Sequence, residues 1–168
     1  MEGKDLIDNL VQDWKNERPE LDASAMLIIG RILKLGKVLE KRMDKVLKDS
    51  PICYSDLDVL ATLRRSGKPF ELTPKELMKS VLITSGAMTA LLNRLEKQDL
   101  IYRKVDKKDT RVKRAGLTKK GIKIIDKAIE DRFEDAQETI NDLNLKEKKA
   151  LAKLLKKMTL GFADDYKD

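Results

Sequence analysis

Apolar residues recur every three or four positions along both ends of the chain, which is the period of amphipathic helices. The first stripe predicts a short helix over residues 4–16, which the polar stretch NERPE ends. Its members are Leu6, Ile7, Leu10, Val11 and Trp14. A longer stripe over residues 21–48 is too wide for one shallow contact, so we expect that helix to be buried on more than one side. Its members are Ile28, Ile29, Ile32, Leu35, Gly36, Leu39, Met43 and Val46.

The last third of the chain continues the same alternation. It predicts a helix over residues 119–143 and a final helix after Asn144. The apolar positions are Ile122, Ile125, Ile129, Phe133, Ala136, Ile140, Leu143, Leu151, Leu154, Leu155 and Met158. Such long stripes have too little to pack against within one small chain. We therefore expect residues 4–48 and 119–160 to form a dimerisation region that joins two copies by two-fold symmetry.

Shorter elements fill the middle of the chain. Residues 54–65 predict a buried helix, and the turn residues of SGKPF follow it. A second helix begins with Thr73 as N-cap and Pro74 at the first helical position, and Glu76 completes a capping box. A third helix over residues 84–97 starts only a few positions later. Two short helices joined by a tight turn indicate a helix-turn-helix.

The segments LIYRKVD and VKRAGLT have strand character and are separated by the polar KKDT, which predicts a small antiparallel hairpin. A hairpin directly after a helix-turn-helix is a winged arrangement. The expected fold is therefore mainly α with a small β-hairpin wing. We expect one domain over residues 1–168, in which residues 54–118 form a winged helix-turn-helix DNA-binding lobe.

The helix over residues 84–97 has an unusual outward side. Its apolar stripe accounts for Met88, Leu91, Leu92 and Leu95. The other side begins with small, uncharged residues, although the chain as a whole is 39% charged. A helix enters the major groove of DNA only if the residues nearest the bases are small, and its free N-terminal amides favour phosphate.

We therefore predict that this helix contacts double-stranded DNA. The predicted contact residues are Thr84, Ser85, Gly86, Ala87, Thr89, Ala90, Asn93 and Arg94. The amide of Asn93 suits adenine, and the guanidinium of Arg94 suits guanine or phosphate. The alternative is an ordinary polar helix surface in a bundle, with Gly86 tolerated near the helix N-terminus.

The hairpin tip, DKKDTR, carries a second set of predicted DNA contacts. Arg111 would reach the narrow, electronegative minor groove of A·T-rich DNA, and Asp109 would hold its guanidinium by a salt bridge. Lys107, Lys108, Lys113 and Arg114 would contact phosphates and so add affinity without sequence information. A solvated, charged turn is the alternative.

Charge supports a polyanionic partner. The 168 residues contain 36 Lys and Arg against 29 Asp and Glu, a formal charge of +7. Much of the excess lies in residues 102–114. Two copies with one helix each in successive major grooves would then occupy a pseudo-palindromic site.

Other classes of protein receive little support from the sequence. It contains no His, no metal-ligand spacing and no phosphate-binding loop, so we expect neither an enzyme nor a metal or cofactor. A single cysteine without a secretory signal indicates the cytoplasm, and no apolar run is long enough to span a membrane. The competing function is a helical protein- or membrane-interaction module, because LKEKKALAKLLKKM is a cationic amphipathic segment.

The stretch LTPKELMKSVLITSGAMTALLNRLEKQDLIYRKVDKKDTRVKRAGLTKKG resembles the MarR family of winged-helix transcription regulators, over residues 21–158 in all. The family's wing pattern is met by Asp109, Arg111, Leu117, Thr118 and Gly121, with Val112 in place of the usual Ser or Arg. The resemblance implies a homodimeric repressor that a small anionic or aromatic ligand releases from its operator.

The chain also resembles the urate-responsive branch of that family, which has an extra N-terminal helix. In that branch a Trp, an Asp and an Arg at the positions of Trp14, Asp58 and Arg103 are tied to ligand sensing. Leu91 stands where the branch has an Arg in the recognition helix, which argues against urate itself. The alternatives are a core role for Trp14, a surface position for Asp58 and a phosphate contact for Arg103.

Some relatives sense oxidants through cysteine, which makes Cys53 a candidate redox switch. It lies between Ile52 and Tyr54. We expect a small buried thiol instead.

Overall fold

A computed structural model describes residues 3–81, 85–106 and 109–162 of the chain. The chain consists of two compact units, residues 1–56 and residues 57–168. The first contains α1 (Leu6–Glu17) and α2 (Met26–Val46). α3 (Tyr54–Arg65) begins at the end of the first unit and lies mainly in the second. The remaining elements of the second unit are β1 (Glu71–Leu72), α4 (Pro74–Met78), α5 (Ser85–Lys97), β2 (Ile101–Val105), β3 (Lys113–Leu117), α6 (Lys119–Thr139) and α7 (Leu145–Gly161).

The first unit joins α1 to α2 through a small apolar contact and an ionic one. Ile7 and Val11 are buried with Ala23. Asp5 caps α1 together with Asp8, and Arg31 of α2 binds both carboxylates at 3.0 and 2.7 Å. The two predicted helices are therefore present, with α2 starting at residue 26 instead of 21.

The apolar stripe of α2 is largely exposed in the single chain. The expectation that it is buried on more than one side is therefore wrong for one copy of the chain. Met43 is the buried residue of α2, whereas Ile28 and Leu35 are 57% and 56% exposed. The reason is geometric: one short helix, α1, covers only part of a wide stripe.

The core of the second unit lies where α3, α4, α5 and the sheet meet. Its fully buried apolar side chains come from all of these elements and from α6: Leu60, Leu63, Leu77, Met88, Leu95, Leu100, Ile101 and Ile125. The predicted capping box is confirmed, since Thr73 accepts the backbone N–H of Glu76 and the Glu76 carboxylate binds that of Thr73. This cap starts α4 directly after β1.

The sheet has three antiparallel strands in the order β1-β3-β2. β2 and β3 form the predicted hairpin, with Ile101 opposite Leu117 and Val105 opposite Lys113. β1 was not predicted, because two residues are too few to show an alternating pattern. Its pairing with β3 makes β3 the central strand.

The two terminal helices follow the predicted order with one difference. α6 ends at Thr139, four residues before the predicted end, and α7 starts with Asn144 as N-cap in a capping box with Glu147. Within the described ranges, no helix has the length and apolar character needed to cross a membrane.

Candidate nucleic-acid interface

α5 has the two faces that the sequence predicts. Met88, Leu91, Leu92 and Leu95 are all buried. The opposite side is exposed, and we call it the outer face of α5; it consists of Gly86, Ala87, Thr89, Ala90, Asn93 and Arg94. Thr84 lies outside the described residues, and for Ser85 the structure describes only its backbone at the start of α5.

Gly86 has open space around it. Among the described residues, a Cβ built at this position meets no atom within 4 Å beyond its chain neighbours and the backbone of its own helix, and its φ does not lie in the left-handed region. Neither packing nor backbone strain within the chain therefore requires a glycine at this point of the first turn.

Leu91 is 5% exposed and packs in the apolar stripe of α5. This burial explains why an apolar residue suits the position. An arginine there would have to lose its solvation, which is costly without a buried partner.

Arg103 of β2 ties the strand to α5. Its Nη2 donates a hydrogen bond to Asn93 Oδ1 at 2.7 Å, and its Nε lies 3.4 Å from the Glu96 carboxylate. The Arg103 side chain is 20% exposed. The predicted DNA contact of Asn93 and the predicted ligand contact of Arg103 therefore belong to one hydrogen-bonded pair.

The tip of the wing holds its arginine outward. Arg111 is 88% exposed, and its Nε and Nη2 donate to the two carboxylate oxygens of Asp109 at 3.0 and 3.1 Å. The hydrogen bonds from Arg111 lower the pKa of Asp109, and the Asp109 carboxylate raises the pKa of Arg111. The predicted salt bridge is thus present. Lys113 is exposed as well, whereas Lys107 and Lys108 lie outside the described residues.

Arg114 faces the other way, into a set of polar residues that we call the wing base: Glu71, Glu76, Tyr102, Asp106 and Arg114. Its Nη1 donates to Asp106 at 2.9 Å. Its Nη2 donates to the Glu71 carbonyl at 2.9 Å and lies 3.3 Å from the Glu76 carboxylate. Arg114 is therefore held by internal contacts, and its expected phosphate contact stays a prediction.

The rest of the wing base centres on the Glu71 carboxylate. The Tyr102 hydroxyl donates to it, and Lys104 forms an ion pair with it. The hydrogen bond to Glu71 raises the pKa of Tyr102 to about 12. Burial alone would raise the pKa of Glu71, but the hydrogen bonds from Lys104 and Tyr102 outweigh burial, so the pKa is lowered. Sequence reasoning missed Glu71 and Glu76 as partners of the wing because they lie 31 and 38 residues before Tyr102 and Arg114, the side chains that they contact.

The three predicted ligand residues have different environments. Trp14 is 53% exposed on α1, so the alternative of a core anchor is wrong for the single chain. Asp58 is half-buried on α3, and burial raises its pKa despite the nearby charges of Arg65 and Arg132. Trp14 belongs to the first unit and the other two to the second, so their grouping stays a prediction.

Cys53 is exposed, which contradicts the expected buried thiol. It lies just before α3, where its backbone N–H donates to Asp56 Oδ2 at 3.0 Å and its thiol lies 3.2 Å from the same oxygen. The adjacent Ile52 takes the buried position, which leaves the cysteine at the helix start facing outward.

Comparisons with known proteins agree with this geometry. A sequence profile of the MarR family matches residues 52–112. The HTH-type transcriptional regulator PecS of Dickeya dadantii is 31% identical over 149 residues, which are 89% of this chain and 90% of PecS.

Two solved structures share the fold. A mutant MarR from E. coli complexed with operator DNA has a TM-score of 0.69 at 24% identity, over 92% of this chain and 99% of the other. BpsR of Bordetella bronchiseptica, whose DNA binding is regulated by 6-hydroxynicotinic acid, has a TM-score of 0.69 at 23% identity, over 78% and 92% of the two chains.

A short capped helix, a second helix with a small, exposed outer face and a three-stranded sheet with a basic tip define a winged helix-turn-helix DNA-binding protein. Because the match to PecS extends over 89% of this chain at 31% identity, it identifies the family within this class of DNA-binding proteins. The chain belongs to the MarR family of transcription regulators.

Proposed function

We propose that this chain is a cytoplasmic homodimeric repressor that binds a pseudo-palindromic operator in double-stranded DNA. In the proposed complex, the outer face of α5 reads the major groove and Arg111 enters the adjacent minor groove. A small anionic or aromatic ligand releases the protein. An enzymatic role is not part of the proposal, because the relatives are transcription regulators.

The outer face of α5 carries this proposal. Ala at an exposed helix position stabilises a helix relative to Gly by roughly 0.5–1 kcal/mol. Gly86 gives up that stabilisation although a Cβ would fit without a contact. Close approach of a base or phosphate from outside the chain supplies the missing reason for a glycine.

Self-association is supported by apolar side chains that the single chain leaves exposed. Leu33 and Leu35 of α2 are 61% and 56% exposed, and Leu154 and Leu160 of α7 are 61% and 63% exposed. Burial of such stripes between two copies would remove them from water. Two-fold symmetry would then present two copies of α5 to one duplex.

Trp14, Asp58 and Arg103 remain the proposed ligand residues. An aromatic face and a guanidinium suit a planar anion. DNA binding by BpsR, which is similar in fold, is regulated by 6-hydroxynicotinic acid. Calorimetry with a panel of planar carboxylates, urate included, is the measurement. Equal binding by the wild type, Trp14→Ala and Arg103→Ala would exclude these residues.

The central experiment is selection of bound sequences from a randomised duplex library by the full-length protein at two salt concentrations. We expect an enriched inverted repeat, bound by a species of twice the monomer mass. Binding without any enrichment, or a monomer in dilute solution, would contradict the proposal. Binding to anionic vesicles but not to DNA would favour the membrane-interaction alternative, for which the lysines and exposed leucines of α7 are the motivation.

A further inference from the structure

Asn93, on the outer face of α5, is hydrogen-bonded to a side chain of the wing. Its Oδ1 accepts from Arg103 Nη2 at 2.7 Å. Arg103 also lies near Glu96, which is three positions further along α5. The guanidinium therefore spans two residues on neighbouring turns of the helix and is held there from β2.

The chemistry of the pair determines which way the Asn93 amide faces. Arginine has five N–H donors and no acceptor, so the amide atom next to it must be the oxygen. The amide oxygen and nitrogen are bonded to the same planar carbon and point in different directions. With Oδ1 held by Arg103, the NH₂ group of Asn93 points away from the strand, and Asn93 is exposed.

We propose that Arg103 is a positioning residue that fixes the Asn93 amide with its NH₂ group toward the DNA, so that Asn93 selects base edges that accept hydrogen bonds. This inference rests on the proposed function and deepens it. Arg103 acts through Asn93 and need not touch the duplex itself.

A fixed donor changes the base preference expected of an asparagine. A freely rotating amide bonds adenine through one donor and one acceptor. A donor alone favours guanine, whose major-groove edge has two acceptors, and disfavours cytosine, whose edge presents an amino group. We therefore expect guanine over cytosine, by about tenfold, at the base pair that Asn93 reads.

The test starts from the duplex that the wild-type protein selects from a random library. Binding is then measured to every single-base variant of that duplex. The proteins are the wild type, Asn93→Ala, Arg103→Ala and the double variant. We expect Asn93→Ala and Arg103→Ala both to lose the preference for guanine over cytosine at the same base pair, and the double variant to lose no more of that preference than either single one. Arg103→Ala, in which the Asn93 amide rotates freely, should favour adenine at that base pair.

A phosphate contact by Arg103 gives a different result. Arg103→Ala would then weaken binding to all duplexes equally, also when Asn93 is already Ala, and would reduce the salt slope by about 0.9. That outcome would overturn the inference. Lys104→Ala is the matched control: it removes a cation from the next position of β2, one that pairs with Glu71 instead of α5, and should leave base preference unchanged.

Asn93→Asp keeps the test decisive if loss of Arg103 unfolds the wing. The carboxylate still accepts from Arg103, but it presents an acceptor to the DNA in place of a donor. The preference should turn toward cytosine by roughly tenfold. An unchanged preference would refute the positioning role. If the wild type enriches no sequence, both the proposed function and the inference about Arg103 fail. Enrichment without these base-specific changes contradicts only the inference about Arg103.

Discussion

The second unit, residues 57–168, uses the same two residue types in opposite ways in two places. Gly86 and Arg111 lie on its outward side, where the glycine has open space and the arginine is 88% exposed. Gly121 and Arg114 lie inward. A Cβ on Gly121 would come within 2.0 Å of the Leu100 carbonyl oxygen, and the side chain of Arg114 is 24% exposed among three acidic residues.

The difference separates positions that build the wing from positions that a partner can reach. Both glycines are in the first turn of a helix, and the two arginines are three positions apart, Arg111 in the loop between β2 and β3 and Arg114 in β3. Their surroundings differ far more than their places in the sequence. We therefore expect the inward pair to control stability and the outward pair to control DNA binding.

Gly121→Ala should have the largest effect. The clash is with the Leu100 backbone, so the start of α6 or the turn between α5 and β2 must shift, and the hydrogen bond from the Gly121 N–H to Thr118 is at risk. We expect a loss of about 3 kcal/mol in the free energy of unfolding, measured by urea titration. A loss below the error of that titration would show that the two glycines do not differ as described.

Arg114→Ala should come next. It removes the ion pair to Asp106, which is 8% exposed, together with the hydrogen bond to the Glu71 carbonyl. We expect the free energy of unfolding to fall by about 2 kcal/mol. Arg111→Ala is the matched control and should leave the unfolding midpoint unchanged, because its guanidinium is at the surface. Equal losses in the free energy of unfolding would show that Arg114 at the wing base and Arg111 at the wing tip do not differ in their contribution to stability.

Arg111→Ala should change the affinity for DNA instead of the stability. We expect affinity for the selected duplex to fall by about tenfold, with the greatest loss when the flanking base pairs are A·T-rich. Fluorescence anisotropy on duplexes that differ only in these flanks measures it. An equal loss on all flanks would show that Arg111 contacts phosphate only.

Gly86→Ala should have the smallest effect on stability and the opposite sign. The free energy of unfolding should rise by roughly 0.5–1 kcal/mol, because alanine favours the helix and meets no neighbour. Affinity for the selected duplex should fall at the same time. Unchanged affinity in this more stable variant would mean that DNA does not approach the outer face of α5 closely.

Features that depend on neighbouring residues could be predicted from the sequence. The Thr73 capping box, the buried stripe of α5 and the Asp109–Arg111 pair each involve residues at most seven positions apart, and each is present. Local spacing on a helix or in a turn brings such residues together in any fold that keeps the element.

Features that depend on distant residues required the tertiary structure. Strand β1, the inward orientation of Arg114, the exposure of Cys53 and the hydrogen bond between Asn93 and Arg103 could not be read from the pattern of the chain. Arg111 and Arg114 have the same chemistry and nearly the same place in the sequence. Packing of β1 and α4 against the wing decided which guanidinium is enclosed by carboxylates and which remains in water, because burial of a charge is tolerated only where partners are already in place.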